Sequence, residues 1–243
     1  MPAPDRMMFY GLHAVQAALA NPTRPVYRLM ASRNALQRLG DVAARRRVAV
    51  EEVPPRQLER LVGQDAVHQG VALEVGPLAQ RSLADVLEPP PAPALCLALD
   101  QVEDPRNVGA ILRSAAAMGV DAVILPERGS ALLGPVCAKA ASGGLDIVPV
   151  VCVPNLAQCL LALRETGFWS LGLDGGADLA IEAAPRYPRT ALVLGSEGKG
   201  LRRLTAEHCD LLVKLTIDPR MESLNVSVAA GIALYTLRHP GRP

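Results

Sequence analysis

From residue 94 onwards the sequence alternates short, largely apolar runs with segments of helical periodicity, and this alternation restricts the fold more than any other feature. Runs without a polar face are typical of strands that are covered on both sides of a sheet. Such strands, separated by helices, favour a parallel, doubly wound α/β sheet that binds ligands at the carboxyl ends of its strands. The site is therefore expected in the loops after Leu99, Leu173, Leu194 and Leu215. The predicted strands are 94–99, 122–125, 147–151, 168–173, 191–194 and 211–215, and the predicted helices are 105–118, 135–141, 155–165 and 201–207, followed by a final helix.

That final helix is predicted within the segment from Glu222 to Leu237, which carries no charge after its first residue. A run of this kind indicates a helix that is buried on most sides. Ser223 is predicted as the N-cap, with Glu222 favourable at the positive end of the helix dipole. Asn225 then falls in the first turn, where a buried amide needs a hydrogen-bond partner. Gly231 in the helix interior predicts that another element packs closely there.

The N-terminal part shows a second, smaller α/β pattern. The predicted helices are 11–19, 33–47 and 54–62, and the predicted strands are 26–30, 48–53 and 70–75. The triplet Arg45-Arg46-Arg47 ends a predicted helix, where the helix dipole favours cations; RNA contact is the alternative. Pro89-Pro90-Pro91 predicts a stiff connection. We therefore expect a small domain at 1–76, a linker at 77–94 and a larger domain at 95–243.

Composition excludes several classes of protein. The net charge of +1 excludes the strongly basic signature of the simplest nucleic-acid-binding domains. The five cysteines are odd in number and form no Cys-x-x-Cys pair, which predicts reduced thiols and no zinc site, and no histidine has ligand spacing that suggests another metal. We expect a cytoplasmic protein without a membrane partner, because no apolar run is long enough to span a bilayer and the first residues lack a signal-peptide pattern.

The first of three motifs follows the predicted strand 94–99 and has the order Asn-x-Gly-x-x-x-Arg, from Asn107 to Arg113. Pro105 suits the first position of a helix. Arg106 and Arg113 are seven residues apart and share a face roughly opposite the apolar stripe of that helix. That face is either simply solvated or, together with the helix N-terminus and Asn107, binds phosphate.

The second motif, Gly195-Ser196-Glu197-Gly198-Lys199-Gly200, follows the predicted strand 191–194. Its glycines permit a sharp turn and a close approach of the backbone to a ligand. Its spacing departs from that of phosphate-binding P-loops and of dinucleotide folds. The central carboxylate of Glu197 would repel pyrophosphate, so the loop suits a ligand with hydroxyl or cationic groups.

Together with Ser223-Leu224-Asn225, these motifs resemble, in order and separation, those of the SpoU family of RNA ribose 2′-O-methyltransferases in the SPOUT superfamily. Phe9-Tyr10-Gly11-Leu12-His13 and Val67-His68-Gln69-Gly70 resemble the substrate-binding domain of that family, so the resemblance covers nearly the whole chain. It implies a parallel-sheet, trefoil-knotted α/β methyltransferase domain preceded by a small α/β RNA-binding domain. It also implies a homodimer that transfers a methyl group from S-adenosylmethionine, without a metal, to the ribose 2′-hydroxyl of a guanosine in 23S ribosomal RNA.

The resemblance also implies roles for individual positions. The expected catalytic residues are Asn107, Arg113, Glu197, Ser223 and Asn225. The backbone at Gly195, Leu215 and Leu224 is expected to hold the methyl donor, and the expected RNA contacts are His68, Gln69 and Arg106. The chain departs from the family at one stretch: the usual Ile-Pro-Met-x-Gly is replaced by Leu215-Thr216-Ile217-Asp218-Pro219, so we expect the backbone beside the methyl donor to differ there.

Arginine, with a pKa above about 12, is not a ready base. We therefore expect Arg113 to bind the adjacent phosphate and to stabilise the developing alkoxide, oriented by Asn107 and Glu197. Two alternatives stay open. The first is methylation of transfer RNA, against which the additional N-terminal domain argues. The second is a catalytically silent RNA-binding assembly factor, against which the presence of Arg113 and Asn225 argues.

Overall fold

The computed structural model describes residues 6–79, 81–87 and 92–239, which form two β-sheets flanked by helices. The first sheet has the order β1-β4-β2-β3, in which β4 is antiparallel to both neighbours and β2 is parallel to β3. Its strands are β1 (Met7–Tyr10), β2 (Val26–Ala31), β3 (Ala49–Glu52) and β4 (Val71–Val75). The helices of this part are α1 (Leu12–Ala20), α2 (Arg33–Leu39), α3 (Val42–Arg46) and α4 (Pro55–Val62).

The second sheet has six strands in the order β10-β8-β9-β5-β6-β7, and every neighbouring pair is parallel. Its strands are β5 (Ala94–Asp100), β6 (Ala122–Pro126), β7 (Val150–Val153), β8 (Trp169–Leu173), β9 (Arg189–Gly195) and β10 (Leu211–Val213). The helices that accompany it are α5 (Leu83–Leu87), α6 (Pro105–Ala117), α7 (Pro135–Ala141), α8 (Gly144–Ile147), α9 (Leu156–Glu165), α10 (Arg203–His208) and α11 (Val226–Arg238). The predicted parallel sheet is therefore confirmed.

Both faces of this sheet are covered, which explains why its strands show no polar side. Along β5, Leu95, Leu97 and Leu99 face a core that includes apolar residues of α6, α7, α8 and α11. The alternate residues of β5 face a second core that includes apolar residues of α9. Because successive side chains of a strand point to opposite faces, only a doubly covered strand buries all of them.

The first sheet differs from the sequence prediction at two points. Strand β1 was not predicted, although it pairs with β4 and contributes the buried Phe9. The predicted helix 33–47 is wrong as a single element: α2 ends at Gly40, whose φ of 60° leaves the helical region, and α3 begins after Asp41. Glycine adopts this conformation without the steric cost that other residues meet. The remaining predicted strands and helices of this part are present.

Two predicted elements of the second half are also corrected. The predicted strand 147–151 begins too early, because residues 144–147 form α8 and β7 starts at Val150. Helix α11 starts at Val226, and Asn225, not Ser223, is its N-cap: the Asn225 side chain accepts a hydrogen bond from the backbone N of Ser227. Val228, Ile232 and Tyr235 are 50%, 43% and 57% exposed, so the prediction that this helix is buried on most sides is wrong for the single chain.

The two sheets share one continuous core, and α1 packs against α7 and α8. A buried ion pair joins the halves: Arg24 Nε lies 2.8 Å from Asp146 Oδ1. Only part of the predicted linker 77–94 is described; it contains α5, whereas Pro89-Pro90-Pro91 lies outside the described residues. Strand order alone does not establish the trefoil knot, which stays a prediction. Within the described ranges, no helix has the length and apolarity needed to cross a bilayer.

Candidate active site

A cavity of about 440 Å³ lies at the carboxyl ends of β8, β9 and β10. Its walls come from the loops after Leu173, Leu194 and Leu215 and from the start of α11, where Val226 and Ala229 contribute. These are three of the four loops at which the sequence predicted a site. The volume lies within the range of small-molecule pockets, roughly 300–1,000 Å³. Five predicted site residues line this cavity: Gly195, Glu197, Leu215, Ser223 and Leu224.

The loop from Gly195 to Gly200 forms one wall of the cavity as a tight hairpin. Ser196 N donates to Gly200 O at 3.1 Å, and Gly200 N donates to Ser196 O at 3.0 Å. A Cβ atom on Gly195 would lie 2.0 Å from the carbonyl carbon of Gly200, a distance that backbone atoms cannot accommodate. The close approach of these two backbone segments therefore requires glycine at position 195.

The cavity lining combines apolar side chains with an excess of carboxylates. Leu173, Leu194, Leu215 and Leu224 supply apolar surface. Three carboxylates, of Asp174, Glu197 and Glu222, face one ammonium group, that of Lys199. An acidic, partly apolar cavity suits a ligand that carries a flat apolar group together with cationic or hydroxyl groups.

Three charged lining residues were not predicted as site residues. Lys199 lies inside a predicted motif without a role, and Glu222 was expected only to favour the positive end of the helix dipole. Asp174 is the first residue after β8, and its Oδ1 accepts a hydrogen bond from Gly176 N at 2.7 Å. Its position at the carboxyl end of a parallel strand was the signal that could have identified it.

A chain of hydrogen bonds connects the three sequence motifs. Asn107 Nδ2 donates to Glu197 Oε2 at 3.2 Å, and Asn225 Nδ2 donates to Asn107 Oδ1 at 3.1 Å. Asn225 Oδ1 in turn accepts from the backbone N and from Oγ of Ser227. The structure thus brings Asn107, Glu197 and Asn225 together, although the three residues are up to 118 positions apart in the chain. Asn225 is exposed, so the prediction of a buried amide is wrong, although its amide group does find a hydrogen-bond partner in Asn107.

A second cavity, of about 280 Å³, adjoins the first at the Gly195 to Gly200 loop. It is lined by Asn107 and by the loop after Leu99, including Gln101 and Asp104. The two cavities share part of their walls: Ser196, Glu197, Lys199 and Val226. Glu197 therefore lines two adjoining spaces, each large enough for part of a small molecule.

Arg106 and Arg113 lie on the exposed face of α6, as their spacing predicted. Neither lines one of the two cavities, and neither side chain forms a hydrogen bond or an ion pair with the described residues. The start of α6 is capped by Asp104, whose carboxylate accepts from Arg106 N at 2.8 Å. The backbone amide of Arg106 therefore already has a partner. The negative charge of the Asp104 carboxylate disfavours the predicted binding of phosphate at this end of α6. The single chain does not bring Arg113 to Asn107 or Glu197.

His68 and Gln69 make contacts inside the protein. Gln69 Oε1 accepts from the backbone N of Leu12 at 3.0 Å and from Lys139 Nζ at 3.2 Å. Burial lowers the pKa of the Lys139 ammonium. His68 Nδ1 accepts from Gly70 N at 3.1 Å. Gln69 therefore has a structural role at the join between the two halves, and His68 has one within its own loop, while their contact with RNA stays a prediction.

An exposed ion pair lies at the end of the stretch that departs from the family pattern. Both carboxylate oxygens of Asp218 accept from the Arg220 guanidinium, at 2.9 and 2.8 Å. These hydrogen bonds lower the pKa of the Asp218 carboxyl group. Ile217 and Leu215 still line the larger cavity, so the altered sequence keeps an apolar wall there.

Comparison with known proteins gives consistent matches over both halves of the chain. Residues 94–235 match the SpoU rRNA Methylase family, and residues 8–81 match the RNA 2′-O ribose methyltransferase substrate binding family. The chain is 42% identical to the 23S rRNA (guanosine-2′-O-)-methyltransferase RlmB of Pseudomonas putida, over 93% of each chain. It is 41% identical to the enzyme of the same name from Xanthomonas campestris, again over 93% of each chain. The fold is similar to that of the SpoU methyltransferase AviRb from Streptomyces viridochromogenes, crystallised with AdoMet: the TM-score is 0.80 at 24% identity, covering 96% of this chain and 89% of that one.

Proposed function

This chain belongs to the SpoU rRNA Methylase family, and we propose that it transfers a methyl group from S-adenosylmethionine to the ribose 2′-hydroxyl of a guanosine in 23S ribosomal RNA. The observation that carries the proposal is the convergence of the three motifs at one edge of the parallel sheet. There, a chain of hydrogen bonds runs from Glu197 through Asn107 to Asn225, and Glu197 lines both of the adjoining cavities. A methyl transfer needs two neighbouring sites of this kind, one for the donor and one for the acceptor.

The larger cavity fits S-adenosylmethionine in chemistry as well as in size. The leucine side chains suit the adenine ring, and the carboxylates of Asp174, Glu197 and Glu222 suit the ribose hydroxyls and the positive sulfonium. When bound, the donor supplies an electrophilic methyl group. The chain contributes the walls of the site: the Gly195 to Gly200 hairpin and the backbone near Leu215 and Leu224.

The smaller cavity is the proposed acceptor site, because its shared wall brings an acceptor group next to the donor cavity. Holding two reacting groups in such proximity lowers the barrier by several kcal/mol, of the order of 7–11 in well-oriented systems. Glu197, on the shared wall, and Asn107, which lines only the smaller cavity, orient the acceptor ribose. Arg113, which lines neither cavity of the single chain, is proposed to reach the acceptor in the homodimer described next, where it binds the neighbouring RNA phosphate and stabilises the alkoxide that develops as the 2′-hydroxyl releases its proton to water.

We further propose that the chain works as a homodimer. Val228, Ile232 and Tyr235 follow one another at helical spacing and form an exposed apolar stripe on α11. A second copy seated on this stripe would bury it and would lie beside α6, the helix that carries Arg113, because α6 and α11 pack together. Sedimentation velocity tests this part: Ile232→Glu should convert a dimer into a monomer, whereas a wild-type monomer would contradict it.

The substrate is tested by incubating the purified protein and radiolabelled S-adenosylmethionine with one RNA at a time. The RNAs are protein-free 23S ribosomal RNA, 16S ribosomal RNA and bulk transfer RNA. The RNA is then digested and its nucleosides are separated. Label in 2′-O-methylguanosine from 23S RNA alone supports the proposal. Label in transfer RNA would mean that transfer RNA, not 23S RNA, is the substrate. Binding of RNA without any methyl transfer would identify a catalytically silent RNA-binding factor. Loss of one guanosine methylation in a deletion strain identifies the nucleotide that is modified in the cell. We propose that the protein acts in the cytoplasm.

The role of Arg113 is tested by Arg113→Ala and Arg113→Lys. Both should reduce turnover by at least about a hundredfold, since loss of one preorganised charged donor typically costs about 2.7–4 kcal/mol. Lysine keeps the charge but not the planar fork that binds phosphate. Affinity for S-adenosylmethionine should stay at the wild-type value, measured by calorimetry. Arg203→Ala, at an exposed arginine of α10 that pairs with Glu207 and has no predicted role in the site, is the control and should keep wild-type turnover. Near wild-type turnover of Arg113→Lys would contradict the role.

A further inference from the structure

Asp100 is a fully buried carboxylate at the end of β5, and its partner is a single arginine. Asp100 Oδ2 accepts from the backbone N of Arg202 at 2.9 Å, and Oδ1 accepts from Arg202 Nε at 2.7 Å. Arg202 Nη2 also lies 2.7 Å from Oδ1. The Asp100 side chain is 0% exposed, whereas that of Arg202 is 45% exposed. A buried charge is tolerated only when it is paired in this way, so the pair fixes the position of residue 202.

The ion pair lies at the base of the Gly195 to Gly200 hairpin, so it can affect the candidate site as well as the stability of the fold. Asp100 is the register partner of Gly195 in the sheet, where the Gly195 to Gly200 hairpin begins. Arg202 follows the other end of the same hairpin by two residues. Both ends of the hairpin are therefore held at Asp100: one through the strand pairing, the other through the ion pair. At the tip, Asn107 donates to Glu197 from the same β5 to α6 segment.

The hairpin itself has few other constraints. Residues 197–200 are exposed, and Gly198 and Gly200 have φ values of 82° and 66°. The hydrogen bonds between Ser196 and Gly200 define the turn but do not connect it to the rest of the molecule. A glycine-rich loop held only by its own turn samples many orientations, and binding a ligand would then have to restrict them.

We infer that Asp100 and Arg202 are positioning residues that hold the Gly195 to Gly200 hairpin in the conformation that binds the methyl donor. The inference rests on the proposed function in one respect: the ligand of the larger cavity is S-adenosylmethionine. Neither residue lines that cavity, so the effect of Arg202 is exerted through the hairpin.

The test compares Arg202→Ala with Arg203→Ala, its immediate neighbour. Arg203 is exposed and pairs with Glu207 within α10, so its loss should leave the hairpin unchanged. Calorimetric titration with S-adenosylmethionine, without RNA, should give a dissociation constant raised at least about tenfold for Arg202→Ala, since two charge-assisted side-chain contacts are lost. Arg203→Ala should bind like the wild type. Hydrogen exchange of peptides covering 195–202 should become faster in Arg202→Ala alone.

A second variant separates positioning from simple destabilisation. Asp100→Asn combined with Arg202→Met removes both charges, so it leaves no unpaired buried carboxylate and should stay folded by circular dichroism. It should still bind S-adenosylmethionine more weakly than the wild type. Wild-type affinity in this double variant, or in a folded Arg202→Ala, would overturn the inference. If the wild-type protein itself fails to bind S-adenosylmethionine, the proposed function fails instead.

Discussion

The buried ion pair between Arg24 and Asp146 should hold the two halves of the protein together, and removing the carboxylate should separate their unfolding. Both side chains are only 2% exposed. Asp146 Oδ1 accepts from Arg24 Nε at 2.8 Å and from Asn21 Nδ2 at 3.2 Å. The guanidinium also donates to Gly76 O at 3.2 Å and lies 4.9 Å from the centre of the Phe9 ring.

Asp146→Ala leaves the Arg24 guanidinium buried without an anion. Breaking a buried pair in this way typically costs about 3–5 kcal/mol, whereas an exposed pair contributes about 0–1 kcal/mol. Against a total stability of about 5–15 kcal/mol, the loss is large. Because the pair bridges the halves, we expect the N-terminal sheet to detach and unfold before the second sheet.

Urea unfolding followed by two probes tests this expectation. The only tryptophan, Trp169, begins β8, so its fluorescence reports on the second sheet, whereas far-ultraviolet circular dichroism reports on both halves. In Asp146→Ala the circular dichroism transition should precede the fluorescence transition. The double variant Arg24→Met with Asp146→Leu should recover most of the loss, because well-packed apolar pairs can replace buried ion pairs. A cost below about 1 kcal/mol for Asp146→Ala, or a double variant no more stable than the single one, would refute the reasoning.

Three further predictions concern the site and the thiols. Gly195→Ala should abolish binding of S-adenosylmethionine in calorimetry, because its Cβ would lie 2.0 Å from the Gly200 carbonyl carbon; retained binding would contradict the hairpin geometry. Asn225→Ala should cost about 0.5–2 kcal/mol through the lost N-cap, whereas Asn225→Ser should keep most of that stability and still lose methyl transfer because the hydrogen bond to Asn107 is gone. Equal turnover in Asn225→Ser and the wild type would exclude a role for that hydrogen bond. Burial raises the pKa of four thiols to about 12, so at pH 8 few thiolates exist and a disulfide reagent should label these cysteines slowly, about tenfold faster for each added pH unit. These thiols are Cys96, Cys137, Cys159 and Cys209. Rapid labelling of several thiols in the folded protein at pH 8 would contradict their burial.

Much of the second half could be read from local sequence. The apolar runs predicted buried parallel strands because every residue of β5 and β6 is covered, so no polar position interrupts the pattern. The same reasoning directed attention to the loops after Leu99, Leu173, Leu194 and Leu215, which line the two cavities. The helix 33–47 was mispredicted because apolar periodicity continues through Gly40, while the backbone turns there.

The candidate site was predicted by residue type but not by contact. Asn107, Glu197 and Asn225 were identified, yet nothing local indicated that Asn107 accepts from Asn225 and donates to Glu197. Arg113 was also predicted from its match to the family pattern, but the single chain does not bring it to the other site residues and leaves it on an exposed helix face. Asp100 and Arg202, which are 102 positions apart, received no role because an acid at a strand end and an arginine after a loop are each ordinary on their own.

The sequence by itself determined most of the strands and helices, the glycine-rich turn after Leu194, and which family these motifs resemble. These properties depend on the periodicity and the backbone preferences of neighbouring residues. Only the tertiary structure decided that Asn225 caps α11, that Val228, Ile232 and Tyr235 remain exposed, and that Asp100 holds Arg202. Burial and pairing of this kind are set by segments distant in the chain, because a side chain's cost or benefit depends on what the fold brings against it.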